Sequence, residues 1–280
     1  MKWFTASAFA AALALAACNS HPTHMKAVPP AQRRVVSLIP SLTEDLFAIG
    51  AGGQVVGVSQ FSQDIRGAAN LPVIGSFASI DTERIIGLHP DVVVGIPAQQ
   101  VMTSDLRRAG ISVALYGDDS FGDIDGVIRR LGRLTGHSQS ANQLIAKLEA
   151  RTRELVRGAH FQKKPSVLVV VNASPIIVAG KGSYIGELIE LAGARNAVSI
   201  AQAYPQYSAE ALVRLQPDVI VTDRTTGLAA LLEREPWRSL RAVRQHRIFT
   251  VDPQAILERP GPRYNEGLSW LIERLRPLAQ

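Results

Sequence analysis

The chain repeats itself. Residues 81 to 94, DTERIIGLHPDVVV, align without a gap to residues 208 to 221, SAEALVRLQPDVIV, with identity at Glu83/Glu210, Leu88/Leu215, Pro90/Pro217, Asp91/Asp218, Val92/Val219 and Val94/Val221. Each copy reads as a short helix, a Pro-Asp turn and a buried strand, because proline cannot continue the helix and the apolar run behind it shows no polar alternation. Upstream of each copy lies a second matching unit. It is a strand (34 to 39, then 167 to 171 with an intervening hairpin), a turn, and a helix ending in a small residue or just before glycine (43 to 49 and 184 to 192). A chain that runs through one order of elements twice is expected to form two similar α/β lobes.

The first unit shows how the sequence does this locally. Val35, Val36, Leu38 and Ile39 form an almost continuous apolar run, as expected of a parallel strand covered on both faces. Pro40 stops it, Ser41 and Glu44 match the S-x-x-E capping box of a helix start, and Gly50 suits the left-handed residue that closes the helix. The carboxyl end of the strand then points at a helix amino terminus, the edge where open α/β sheets take ligands, which makes Ser41 a candidate binding residue. In the second half Gly180, Gly182 and Ser183 make the comparable turn, with Ser183 as cap. It is not a phosphate loop. A Walker A motif needs glycine where Ile176 stands, and G-x-G-x-x-G needs it where Ile185 stands.

Between the halves, residues 123 to 160 are rich in helix formers. Asp123 to Thr135 reads as one helix closed by Gly136, and Ser138 as the cap of a second that runs to about Arg157 with Ala141, Leu144, Ile145, Leu148 and Leu155 as its apolar stripe. Twenty helical residues span about 30 Å. The expected fold is therefore α/β, with two Rossmann-like lobes, each a three-layer α/β/α sandwich on a parallel sheet. The lobes are residues 34–122 and 161–280, joined by a single long spine helix, with the ligand cleft between them.

Ahead of the lobes stands the only cysteine, Cys18, directly behind Leu15-Ala16-Ala17. Lys2 and the apolar stretch from Phe4 to Leu15 read as a signal peptide over residues 1–17, too short for a transmembrane helix of about 20 residues. Leu-Ala-Ala-Cys resembles the lipobox of bacterial lipoproteins, so Cys18 is the expected lipidation site. The expected location is the periplasmic or extracytoplasmic face of a bacterial membrane, held by lipid chains. Residues 18–33, with three prolines and no apolar period, read as a tether, and His21 and His24 within it as linker rather than a metal site. No thiol is left for a disulfide or a metal. Lys plus Arg exceed Asp plus Glu by 30 to 24. There is no basic cluster interleaved with aromatics, so nucleic acid is not an expected partner. No nucleophile elbow, paired carboxylates or metal-spaced histidines appear, so neither an enzyme, a metal site nor a resident cofactor is expected.

The run RVVSLIPSLTEDLFAIGAGGQVVGVS, the two E-x-x-x-x-L-x-P-D-V-x-V copies, the spine helix and the late ERPGPR segment together resemble the substrate-binding proteins of ABC importers for cobalamin, haem and ferric siderophores. The resemblance covers nearly the whole chain behind Cys18. It implies a bilobed monomer with little hinge motion that hands a small-molecule ligand to a permease dimer, docking through both lobes. Within the family the chain is most similar to cobalamin binders, through VVGVS followed by an aromatic and through the aromatic six residues before each repeat glutamate.

Those aromatics are Phe61, Phe77 and Tyr204, and cobalamin is the expected ligand, since aromatic faces bury a broad, partly apolar ring at low entropic cost. The resemblance places Asp252 and Arg259 in a late loop at the cleft, and it assigns permease docking to Glu83 and Glu210. In the best-known cobalamin binders several of these places hold tryptophan; here Trp237 falls in an expected loop and Trp270 in the final helix. Haem is the main alternative, wanting an axial His or Tyr, for which Tyr116, Tyr204 and Tyr207 are candidates and His89 and His246 read as surface residues after helix ends. An anionic ferric siderophore would want a cluster of cleft arginines.

Overall fold

The repeat motif is a clip and a strand. The computed structural model describes residues 28–117, 120–159, 161–252 and 255–278; Cys18, His21, His24 and the leader lie outside them. In the first copy the Asp91 carboxylate accepts a hydrogen bond from the Arg34 amide (2.7 Å), and in the second the Asp218 carboxylate accepts from both the amide and the hydroxyl of Ser166 (2.8 Å each). Each aspartate thus ties the start of its own strand to the start of the central strand of its lobe. The residue before each proline, His89 (φ 48°) and Gln216 (φ 39°), adopts the same left-handed turn.

The first lobe holds β1 (Val35–Ser37), α1 (Pro40–Ala48), β2 (Val55–Val58), α2 (Thr82–Gly87), β3 (Val92–Gly95), α3 (Ser104–Arg108) and β4 (Ser112–Leu115). Its strands lie in the order β2-β1-β3-β4, all parallel. Then come α4 (Asp123–Thr135) and α5 (Ser138–Arg157). The second lobe holds β5 (Ser166–Ala173), β6 (Ile176–Val178), α6 (Tyr184–Leu191), β7 (Arg195–Asn196), α7 (Ala209–Leu215), β8 (Val219–Thr222), α8 (Arg241–Arg244) and β9 (Ile248–Thr250), followed by α9 (Ala255–Glu258) and α10 (Tyr264–Leu275). Its parallel order, β7-β5-β8-β9, repeats that of the first lobe, and β6 adds an antiparallel hairpin on β5.

Both sheets are covered on both faces. Along β1 and β3, Val35, Val92 and Val94 face a central core, while Val36 and Val93 face an outer one with Leu38, Ile74, Ile85 and Leu106. In β5 and β8, Val167, Val169 and Val221 face the central core, and Leu168, Val170 and Ile220 face an outer one that also buries Trp237 and Leu240. Each apolar run is the product of these two alternating faces. The central core is continuous from one lobe to the other through Leu131 of α4, Ile145 and Leu148 of α5, and Leu268 and Leu271 of α10. Moving one lobe against the other would open this packed apolar seam, so the architecture resists a wide hinge motion.

The expected helices are present, with corrected starts. The α4 helix runs over the expected residues and closes at Gly136 in the left-handed conformation (φ 78°), as Gly50 (φ 86°) does after α1. The spine helix α5 begins with Ser138 as its first helical residue and His137 at the cap position, so Ser138 is not the cap. The strand expected to reach Ile39 ends at Ser37, and α1 starts at Pro40 rather than Thr43, because proline needs no partner for an amide at the first helical position. Ile39 occupies the cap position without a side-chain hydrogen bond, which overturns the Ser41/Glu44 capping box. Trp237 sits in a short helical turn and is buried in the second lobe's outer core.

Candidate functional site

In each lobe a turn is hydrogen-bonded to the loop that carries an exposed aromatic. After β2, the turn Gln60–Ser62 is pinned from below by a ladder of buried hydroxyls. Thr43 Oγ1 donates to Ser37 Oγ (2.9 Å) and lies 3.2 Å from Ser62 Oγ, which lies 3.0 Å from Ser59 Oγ. The Gln60 amide donates to the Gly75 carbonyl (2.9 Å), tying this turn to the tight loop that carries Phe77. In the second lobe Ser183 caps α6, its hydroxyl accepting from the Gly186 amide (3.0 Å) and donating to the Gly180 carbonyl (2.8 Å). The Gly180 amide donates to the Ala203 carbonyl (2.8 Å) and the Lys181 amide to the Ile200 carbonyl (2.9 Å), so this turn holds the loop that carries Tyr204.

On these loops the three aromatics face outward. Phe61 is 55% exposed, Phe77 50% and Tyr204 44%, so none of them is a core residue. Large apolar side chains at that exposure leave area free for a partner. Of the other tyrosines considered, Tyr116 is buried under the guanidinium of Arg130 (5.3 Å from the ring centroid) and Tyr207 packs partly into the outer core of its lobe. His89 lies exposed after α2.

The seam beneath these loops is charged, and the sequence did not announce it. Arg259, in the loop between α9 and α10, reaches into the first lobe. Its Nη1 donates to Glu44 Oε1 of α1 (3.0 Å), and its Nη2 donates to the Phe61 carbonyl (3.0 Å) and pairs with Asp64 (2.9 Å). Arg263 lies 3.8 Å from the same Glu44 oxygen and pairs with Glu266. The Glu44 side chain is 5% exposed and that of Arg259 17%. Burial pushes the Glu44 carboxyl up; the hydrogen bond and charge of Arg259 and the charge of Arg263 oppose this without cancelling it. Across the seam Tyr184, 1% exposed, has its phenol raised by burial, with Tyr264, Glu44 and Tyr204 near enough to add to the effect. Tyr204, Tyr184, Glu44, Arg259 and Phe61 therefore share one region between the lobes. The signal for Glu44 was an acid inside an apolar helix (Leu42, Leu46, Phe47, Ile49) together with two arginines flanking Pro-Gly-Pro far downstream.

Ser41 is buried in the first turn of α1, below the Pro260–Pro262 loop: a Cβ at Gly261 would lie 3.6 Å from the Ser41 carbonyl. Asp252 is exposed and pairs with the exposed Arg224 (3.0 Å). Glu83 and Glu210 are exposed in the first turns of α2 and α7. Neither glutamate is the cap: Asp81 accepts from the Arg84 amide (2.9 Å), and Ser208 from the Ala211 amide (3.2 Å). A cavity of about 800 Å³ is lined by Phe121, Asp125, Thr152, Arg153, Leu191 and Tyr264, among others on α4, α5, α6 and α10. It contains none of the three exposed aromatics. The strand-end loops, the edge where open α/β sheets take ligands, carry those aromatics instead.

The family model for periplasmic binding proteins matches residues 35–255. The chain belongs to the periplasmic binding protein family. It is 31% identical over 254 residues to an uncharacterized ABC transporter substrate-binding lipoprotein, YvrC, of Bacillus subtilis, covering 88% of this chain and 80% of that one. It is 30% identical over 251 residues to a cobalamin-binding protein of Halobacterium salinarum, covering 84% and 67%. Among solved structures it is similar to the periplasmic heme-binding protein RhuT from Roseiflexus sp. RS-1 in its apo form, with a TM-score of 0.81 and 28% identity over 89% of this chain and 100% of that one. The two-lobed α/β fold is that of these binding proteins. The family consists of transporter substrate-binding proteins that take small-molecule ligands and work with ABC permeases. Among the described residues no helix is long and apolar enough to cross a membrane.

Proposed function

We propose that this protein is the extracytoplasmic solute-binding lipoprotein of an ABC importer, that it captures cobalamin, and that it delivers the vitamin to a permease dimer. The observation that carries this reading is the set of half-exposed aromatics, Phe61, Phe77 and Tyr204, on loops at the strand ends of both lobes, with Phe77 and Tyr204 at matched positions of the repeat. Aromatic faces on either side of a cleft suit a broad ring system with apolar edges, and the likeness to a cobalamin-binding protein supports that ligand. In this reading Ser41, Asp252 and Arg259 belong to the binding region, Arg259 through the first-lobe groups it holds. Cys18 carries the lipid, which keeps the protein near the permease and raises its effective concentration there. Glu83 and Glu210 are the docking acids, one per lobe, and the protein acts as a monomer.

Haem is the second reading. It is favoured by Tyr204, a half-exposed candidate axial residue where Tyr116 is buried, and by the likeness to a heme-binding protein. Parallel calorimetric titrations of the purified body with cyanocobalamin and with haemin decide between them. Saturable one-to-one binding of cobalamin supports the first reading. Binding of haemin alone, lost in Tyr204→Phe, replaces it with the second.

A further inference from the structure

Arg259 is the best-connected cation of the seam, and its guanidinium reaches three groups of the opposite lobe. It joins a buried carboxylate of α1, the exposed Asp64, and the backbone carbonyl of Phe61. We propose that the Glu44–Arg259 pair is an inter-lobe clasp that positions the Phe61 turn, so that Arg259 acts on ligand recognition through Phe61 rather than by touching the ligand. The proposal rests on the ligand-binding reading above for its effect on affinity, but not for the clasp itself.

Three features of the chain support it. The base of the Phe61 turn is pinned by the hydroxyl ladder of Ser37, Thr43, Ser62 and Ser59, which leaves the Phe61 carbonyl as the group held from the opposite lobe. The loop that presents Arg259 runs Arg-Pro-Gly-Pro-Arg, and two prolines restrict its backbone before the contact forms, so little entropy is lost in making it. A guanidinium also has a suitable shape, since its rigid planar fork reaches a carboxylate with one amino group and a carbonyl with the other. The groups facing Glu44 are Arg259 and Arg263 from the late loop before α10, Asp64 behind the Phe61 turn, and the phenol of Tyr184 on α6. Buried ion pairs of this kind often add little to stability, because desolvation offsets the attraction; fixing one arrangement is the better-attested use.

The test compares the parent with Arg259→Gln, Arg259→Lys and, where a lone buried acid would prevent folding, the double variant Glu44→Gln/Arg259→Met. Hydrogen exchange without ligand should show faster exchange at residues 60–65 in each variant, with strands β3 and β8 unchanged. Affinity for whichever of cobalamin or haemin the parent binds should fall roughly tenfold in Arg259→Gln, the scale of coupling between linked residues, and recover only in part in Arg259→Lys. In a Phe61→Ala background, Arg259→Gln should cost almost nothing further. Additive losses would mean direct ligand contact, and unchanged exchange at residues 60–65 in a folded variant would mean no clasp; either overturns the proposal. If the parent binds neither compound, the ligand reading fails and the exchange result alone decides the clasp.

Discussion

Truncating Phe77 separates a residue kept for the fold from one kept for a ligand. Fully burying a phenylalanine is worth about 1.5–3 kcal/mol, and half of this ring is already in water, so its share in stability is at most about 1–1.5 kcal/mol. The loop around it keeps its own ties, since the Ser76 amide donates to the Ser79 carbonyl (2.7 Å) and the Asp81 amide to the Ile74 carbonyl (2.8 Å), and neither bond involves the ring. The exposed half is what a ligand can cover, and covering it is worth a further ~1–1.5 kcal/mol, about a tenfold change in affinity. Phe77→Ala should therefore melt within a few degrees of the parent and bind about tenfold more weakly, and Tyr204→Ala should behave alike. Thermal melting and calorimetry on the same samples provide both numbers. A large drop in melting temperature with unchanged affinity would show that the rings serve the fold, and the reasoning would be refuted.

Three other outcomes are expected. Glu83→Ala/Glu210→Ala should keep ligand affinity and melting temperature near parental values, since Asp81 and Ser208 do the capping, while permease-stimulated ATP hydrolysis in reconstituted vesicles falls; an unchanged rate would remove the docking role. Cys18→Ser should abolish fatty-acid labelling and leave the body folded, as no other cysteine exists; continued labelling would contradict the anchor. Burial raises the Glu44 carboxyl above its ordinary range in the folded protein, so protonation favours folding, and that benefit is lost as pH rises through the folded value. Relative to Glu44→Gln, the parent should thus gain stability between neutral pH and the ordinary glutamate range. Urea unfolding at several pH values reads this directly, and parallel curves would contradict it.

The architecture was legible because it is written in apolar runs, which depend on nothing distant. Val92 to Val94 and Val219 to Val221 announce buried strands, Gly136 and Gly50 announce helix ends, and the repeat announces two lobes, all within short windows. The start of α1 is not legible locally, because Pro40 can both end a strand and open a helix, and the S-x-x-E pattern favours a cap that the structure does not form. Glu44 was instead drawn inward by Arg259, 215 positions away, and no local pattern encodes such a pair. The aromatic loops were placed by their spacing from the repeat glutamates, yet only the fold shows Phe61 and Phe77 joined by the Gln60–Gly75 hydrogen bond. The local sequence marks Tyr184 only as the start of a helix, since its burial at the seam arises from packing between lobes.

The most direct test of the central claim is to purify the chain from its native membrane without added ligand, record its absorbance spectrum, and repeat the scan after equilibration with cobalamin and gel filtration. The account predicts a corrin spectrum that travels with the protein at about one equivalent per chain, reduced in Phe77→Ala and Tyr204→Ala. A porphyrin spectrum would contradict cobalamin as the ligand, and a protein that stays colourless after equilibration with cobalamin and with haemin alike would contradict the tetrapyrrole-like site altogether.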